Sequence, residues 1–257
     1  MQVADLGAQV LGIDVGASLL ARWRDWLMPA EQPYLMSREA ALGAGLADDR
    51  ERLSFELADS FMLYDVGDSA VCWLSRSGSR RLPAEVRRDQ PARHRWPSRH
   101  GDQDVTRIVR FVAEGRRRSR HADVAATAWH RVRDILPAAR DLAGTFPKGS
   151  GPNCFGTVMG AAGVAGAAET WMQREPFEDW LATATSPGGR DDVAGTVLVW
   201  RDGESSVQHA AVTLGDGWAL HKPSQGWMSP VKVLTVRDVI FSARARGHHL
   251  QRRSLLR

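Results

Sequence analysis

Residues 207–221, Val-Gln-His-Ala-Ala-Val-Thr-Leu-Gly-Asp-Gly-Trp-Ala-Leu-His, constrain the fold more than any other stretch. A small, apolar run reaches Gly215-Asp216-Gly217 and resumes beyond it, the pattern of two antiparallel strands joined by a tight turn. His209 opens the first strand and His221 closes the second. Side chains alternate across a sheet, so His209, Ala211 and Thr213 share a face. A two-residue turn at Asp216-Gly217 would set Val212 opposite His221 and turn the imidazoles apart. A three-residue loop over Gly215-Asp216-Gly217 sets Ala211 opposite His221 and brings His209 to the same face. Diagonal neighbours then lie roughly 7–8 Å apart, within reach of two imidazoles. We expect the three-residue loop, because glycine at both ends suits it.

The chain has 257 residues, enough for one large core or two modest ones. Its 43% hydrophobic and 25% charged residues are those of an ordinary soluble globular protein. Cys72 and Cys154, its 2 cysteines, cannot build a disulfide framework or a cysteine-rich zinc site. The first residues lack a basic start and carry Asp5 and Asp14 within their apolar run, so they do not read as a signal peptide. With no apolar run of about 20 residues, the sequence reads as cytoplasmic, without membrane contact.

Apolar residues at helical spacing predict a helix over 2–27, and Ser37 caps a second. Two strands are expected at 61–64 and 70–74, turning at Val66-Gly67-Asp68. Arginines then crowd residues 80–120, interrupted by Pro83, Pro91 and Pro97. We place a linker or surface excursion at 76–101, a helix at 103–114, and another at 123–143 broken at Pro137. The basic stretch has few interleaved aromatics beyond Trp96 and Phe111. It reads as a solvated, partly flexible surface or, alternatively, as a contact for an acidic small molecule or acidic carrier protein, and nucleic acid is disfavoured. Beyond the Gly- and Pro-rich loop 144–153 follow a small-residue helix from Cys154, a strand over 194–200, the hairpin, and a final strand and short helix. These readings divide the chain into an N-terminal helical and β-hairpin region with its linker, 1–101, and a second domain, 102–257.

The chemistry concentrates in the second domain. Asn153 is a good N-cap, so Cys154 occupies the first helical position, where unpaired N–H groups and the helix dipole favour a thiolate. The same N–H groups can hold an oxyanion. A thiolate needs a proton shuttle, which a histidine provides best near neutral pH when a third group fixes its ring. A metal at His209 and His221 lacks further ligands apart from distant Asp216, so no metal and no cofactor are expected. Trp218 and Trp227 flank His221. Trp227, in the polar segment Lys-Pro-Ser-Gln-Gly-Trp, is the better candidate for a substrate-cleft wall.

This constellation resembles the NlpC-type cell-wall cysteine peptidases of the papain-like superfamily. It does so through Asn153-Cys154-Phe155-Gly156, Ala194-Gly195-Thr196, His209-Ala210-Ala211-Val212-Thr213 and His221-Lys222. The resemblance covers roughly residues 145–240. It implies Cys154 as nucleophile, His209 as base and His221 as the orienting residue. Asn153 and Phe155 stand where that family has an Asp and a Ser that hold substrate. The family's tyrosine before the cysteine has no counterpart, since the only tyrosines are Tyr34 and Tyr64. The implied fold is α+β and papain-like, with the cysteine-bearing helix packed on an antiparallel sheet. The implied function is a thiol-dependent amidase or peptidase working through a thioester on a small-molecule or peptide substrate, acidic or carrier-bound. An acyl or peptidyl transferase would use the same three residues. An inactive binding module for an acidic partner would instead keep Cys154 buried and protonated.

Overall fold

The computed structural model describes residues 7–99 and 102–256, with the Asp102 side chain excepted. They divide into two compact units, one of residues 7–10 and 14–114, the other of 11–13 and 115–256. In chain order the first part contains β1 (Ala8–Val10), β2 (Ile13–Val15), α1 (Ala17–Leu27), β3 (Glu31–Met36), α2 (Arg38–Gly43), α3 (Phe55–Phe61), β4 (Ala70–Ser75), α4 (Arg76–Ser79), α5 (Ala84–Arg88) and α6 (Asp102–Ala113).

Three expectations change here. The helix over 2–27 begins only after Gly16. Residues 2–6 lie outside the described residues, and 8–15 forms the β1–β2 ribbon, reversing at Leu11 (φ 54°) and Gly12 (φ 78°). Glycine takes that left-handed conformation without steric cost. Residues 55–61 are helical because the Ser54 hydroxyl accepts the Leu57 N–H, so β4 pairs with β3 instead, Tyr34 opposite Cys72. The expected linker is docked rather than loose. The Gln90 side chain accepts from Leu35 N (2.8 Å) and donates to Leu35 O (2.9 Å), and Arg95 N donates to the Gln32 amide (3.1 Å). Those amides stand in for a strand partner along β3. The domain break falls after Glu114, not 101, because α6 belongs to the first unit. Ile108 and Val112 of α6 are fully buried, and its buried Asp104 holds Arg24 of α1 at 3.1 Å.

The second part contains α7 (Ala126–Val132), α8 (Ala139–Leu142), α9 (Cys154–Ala161), α10 (Arg174–Ala184), β5 (Thr185–Pro187), β6 (Ala194–Arg201), β7 (Val207–Gly215), β8 (Trp218–His221), β9 (Lys232–Thr235), α11 (Val236–Ser242) and β10 (His249–Leu255). The expected helix over 123–143 is split into α7 and α8 around Pro137. The unit is mixed α+β, built on a six-stranded antiparallel sheet in the order β5-β10-β6-β7-β8-β9. β10, which the sequence pattern did not reveal, lies inside the sheet. It is polar and poor in β-branched residues, so pairing with β6 rather than propensity makes it a strand.

Both faces of the sheet are covered. Val197, Val199, Val212, Leu220 and Val233 pack with Cys154, Val158 and Met159 of α9. On the other face Leu198, Trp200, Ala211, Ala219 and Leu234 pack with Val239 of α11. That period-2 partition is what strand alternation demands. Close packing of α9 rests on two glycines one turn apart. A Cβ on Gly156 would stand 2.2 Å from Ala167 O, and one on Gly160 2.6 Å from the Ala168 Cβ. No helix among the described residues is long and apolar enough to cross a membrane.

Candidate functional site

The hairpin puts the histidines on one face. Val212 pairs with Leu220 and Thr213 with Ala219, which sets Ala211 opposite His221. The turn itself is a two-residue bend at Asp216 (φ 50°) and Gly217 (φ 77°) closed by the Gly215–Trp218 pair, and a bulge at Leu214 separates that pair from Thr213–Ala219. The bulge supplies the extra residue that the parity argument assigned to a three-residue loop. Asp216 also forms an ion pair with Arg131 of α7.

The imidazoles meet edge to face, with Nε2 of His209 2.9 Å from Nε2 of His221. Trp200, directly across β6, packs on the His209 ring with centroids 5.3 Å apart. Burial lowers the His209 pKa to about 4. It drives that of His221 well below its usual range, helped by the adjacent His209 and the Lys232 and Lys222 charges. Both rings are therefore neutral near pH 7, and one N–H joins them. His221 Nδ1 is buried without a hydrogen-bond partner among the described residues. If His209 Nε2 donates, that Nδ1 carries a proton with no acceptor, at a cost of about 1–3 kcal/mol.

Cys154 is the first residue of α9, as expected. Asn153 caps the helix, its Oδ1 accepting from Gly156 N at 3.0 Å while its Nδ2 donates to Met172 O at 2.7 Å. The N–H groups of Ala210, Phe155 and Cys154 itself, with the Lys222 ammonium, favour the thiolate. Burial outweighs them and pushes the thiol up to about 11. The expectation of a lowered thiol pKa is corrected accordingly: the helix terminus is there, but the site is too dry for its field to prevail. The thiol meets β7 from the α9 side, at the N–H of Ala210, the residue after His209. The imidazoles stand on the α11 side. Among the described residues no hydrogen bond joins Cys154 to either imidazole.

A pocket of about 490 Å³ opens onto the histidines from the α11 side. Arg116, Arg117, Lys232, Ser229 and Phe241 help line it, and among the described residues no carboxylate side chain does. Lys232 sits across from His221 on β9, donates to Arg117 O at 3.2 Å, and is held down to about 8 by burial and the two arginines. These cations were missed in the sequence. The alternation Lys232-Val233-Leu234 placed Lys232 on the histidine face, but only the pairing of β8 with β9 revealed it.

Other expected contacts are differently employed. Trp227 is fully buried, so it packs instead of walling a cleft. Phe155 stacks on Phe177 at 4.5 Å within the core. Asn153 spends its amide on the cap and on Met172. Trp218 is half-buried, with the Arg120 guanidinium 4.6 Å over its ring. Among the described residues no group of three metal-ligating side chains exists.

The histidine values carry a linkage consequence. His209 is depressed from 6.5 to about 4 in the folded chain, so between those pH values the unfolded chain binds the extra proton. The stabilisation is present above 6.5 and is lost as pH falls through 4. Denaturant midpoints should fall from pH 7 to pH 4, with His209 contributing on the order of 2–3 kcal/mol. A His209→Phe variant should show a shallower loss. An equal slope in both would remove His209 as the source.

Comparison with known proteins gave no match to this chain from any family model, curated protein or solved structure.

Proposed function

We propose that the second unit is a thiol-dependent acyl hydrolase, an amidase or peptidase of papain-like, NlpC-type design. Cys154 is its nucleophile, His209 its base and His221 the residue that orients the base. Two observations support the reading: the imidazole pair at 2.9 Å, and a thiol at the first position of α9 that meets β7 at the Ala210 N–H, on the sheet face opposite the imidazoles. His209 donates from Nε2 to His221, which leaves Nδ1 to accept the thiol proton. The step requires the His209 ring to swing past the strand edge to the thiol, with which it makes no hydrogen bond in this structure; as Cys154 Sγ then bonds to the substrate carbonyl carbon, its proton passes to His209 Nδ1. His209 then protonates the leaving amine or alkoxide as the C–N or C–O bond breaks. The N–H groups at the start of α9 stabilise the oxyanion. Water then attacks the thioester carbonyl, giving a proton to His209, and as the C–S bond breaks His209 returns that proton to Cys154 Sγ and the acid is freed. The pocket's cations favour an acidic acyl group. A neutral thiol beside a neutral imidazole means that proton transfer accompanies attack, so acylation should rise with pH through about 4 and then stay level to about 8.

The buried, protonated thiol favours a second reading, an inert binding module for an acidic partner. Incubation with p-nitrophenyl acetate, followed by intact mass, separates the two. The hydrolase acquires an acetyl group on Cys154 that disappears with time, and Cys154→Ala acquires none. An inert module shows no Cys154 adduct and alkylates Cys154 as slowly as Cys72. Added amine distinguishes hydrolysis from transfer, yielding free acid or new amide.

A further inference from the structure

We infer that the first unit holds a binding site for a compact ligand bearing several phosphate groups, in the cavity where α4, the 93–99 segment and α6 converge. The cavity measures about 1340 Å³. Arg76 and Arg80 enter it from α4 and the residue after it, Arg93, Arg95 and Arg99 from the 93–99 segment, and Arg107 and Arg110 from α6. Among the described residues Glu114 is the sole acidic one in its lining. Some other arginines of this unit find acids: Arg24 pairs with Asp104, Arg50 with Asp48, Arg52 with Glu31. Among the described residues none of the seven cavity arginines is ion-paired.

This is a built cavity, not a frayed basic surface. His94 fixes the 93–99 segment by stacking on Tyr34 at 3.8 Å, with its Nε2 2.9 Å from Pro33 O. Arg95 lies half-buried over the Phe111 ring at 4.3 Å, its pKa lowered by burial and by the Arg93 charge. Arg107 donates to Trp96 O at 3.4 Å. On α6 and the residue after it, Gln103, Arg107, Arg110 and Glu114 follow at three- and four-residue spacing, so one helix face turns to the cavity. Gathering seven guanidinium groups around the single carboxylate of Glu114 costs free energy that a polyanion would recover. Guanidinium forks match phosphate oxygens in pairs. Convergence from three segments on one concavity suits a compact oligophosphate better than a nucleic-acid strand, which needs charges strung along a track.

Calorimetric titration of the full chain with inorganic tripolyphosphate tests this, with orthophosphate and a single-stranded 12-mer DNA as comparators. Tripolyphosphate should bind at least about 10-fold tighter than orthophosphate, since more charge-assisted pairs form. Arg80→Gln/Arg107→Gln/Arg110→Gln should weaken it by about 30-fold or more, and Arg110→Gln alone by about 5-fold, should the triple variant fail to fold. Arg244→Gln/Arg246→Gln, outside the cavity, should leave it within about 2-fold. No binding, affinity unchanged in both cavity variants, equal binding of orthophosphate, or tighter binding of the DNA would each overturn the site. The test is independent of Cys154, so it stands or falls apart from the hydrolase reading.

Discussion

His209→Ala should slow acetylation of Cys154 by about 1,000-fold, within the range that a positioned general base contributes. The thiol, held at about 11 by burial, cannot supply a thiolate by itself at pH 7, so loss of the imidazole removes the only proton acceptor proposed for it. His221→Gln should cost less, about 10- to 100-fold, because an amide can still accept from His209 Nε2 and hold the ring while lacking the imidazole's shape. Time courses of the acetyl adduct by intact mass measure both. If His221→Ala were as inert as Cys154→Ala while His209→Ala stayed active, the two histidine roles would be assigned the wrong way round.

Gly156→Ala should destabilise the second unit by about 3 kcal/mol, the upper part of the range for overpacking a close contact. The new methyl would stand 2.2 Å from Ala167 O and 3.0 Å from Thr170 O. Both are backbone atoms and neither can swing aside, so the first turn of α9 must move, carrying Cys154 away from the Ala210 N–H. A lower denaturant midpoint and slower acetylation are expected together. Gly203→Ala is the control: nothing lies within 4 Å of its added Cβ, so its midpoint should stay within about 0.5 kcal/mol. If the two substitutions cost the same, the close approach of α9 to residues 167–170 is not what Gly156 serves.

Local rules already present in the chain determined several features. Asn153 before Cys154 specified the start of α9, because the cap is an interaction over three residues. The glycines around Asp216, with alternation along 207–221, specified a hairpin, but the shared face of its histidines came from a bulge in the ladder and not from the expected three-residue loop. The apolar spacing of 103–114 specified α6. Tertiary structure decided the rest. Residues 249–255 become a strand only because β6 and β5 offer ladders to a segment without a strong preference of its own. Residues 61–64 were misread because their apolar character suits a helix end as well as a strand, and the Ser54 cap settles it. The arginines of 76–110 read as solvated along the chain, since helix turns and loops that converge in space are scattered in sequence. The Cys154 thiol had its field written locally, in the helix terminus, but its desolvation comes from strands more than 40 residues away. Dipoles are local and burial is collective, so the sequence predicted the sign of the first effect and only the packed structure supplied the second, which is larger.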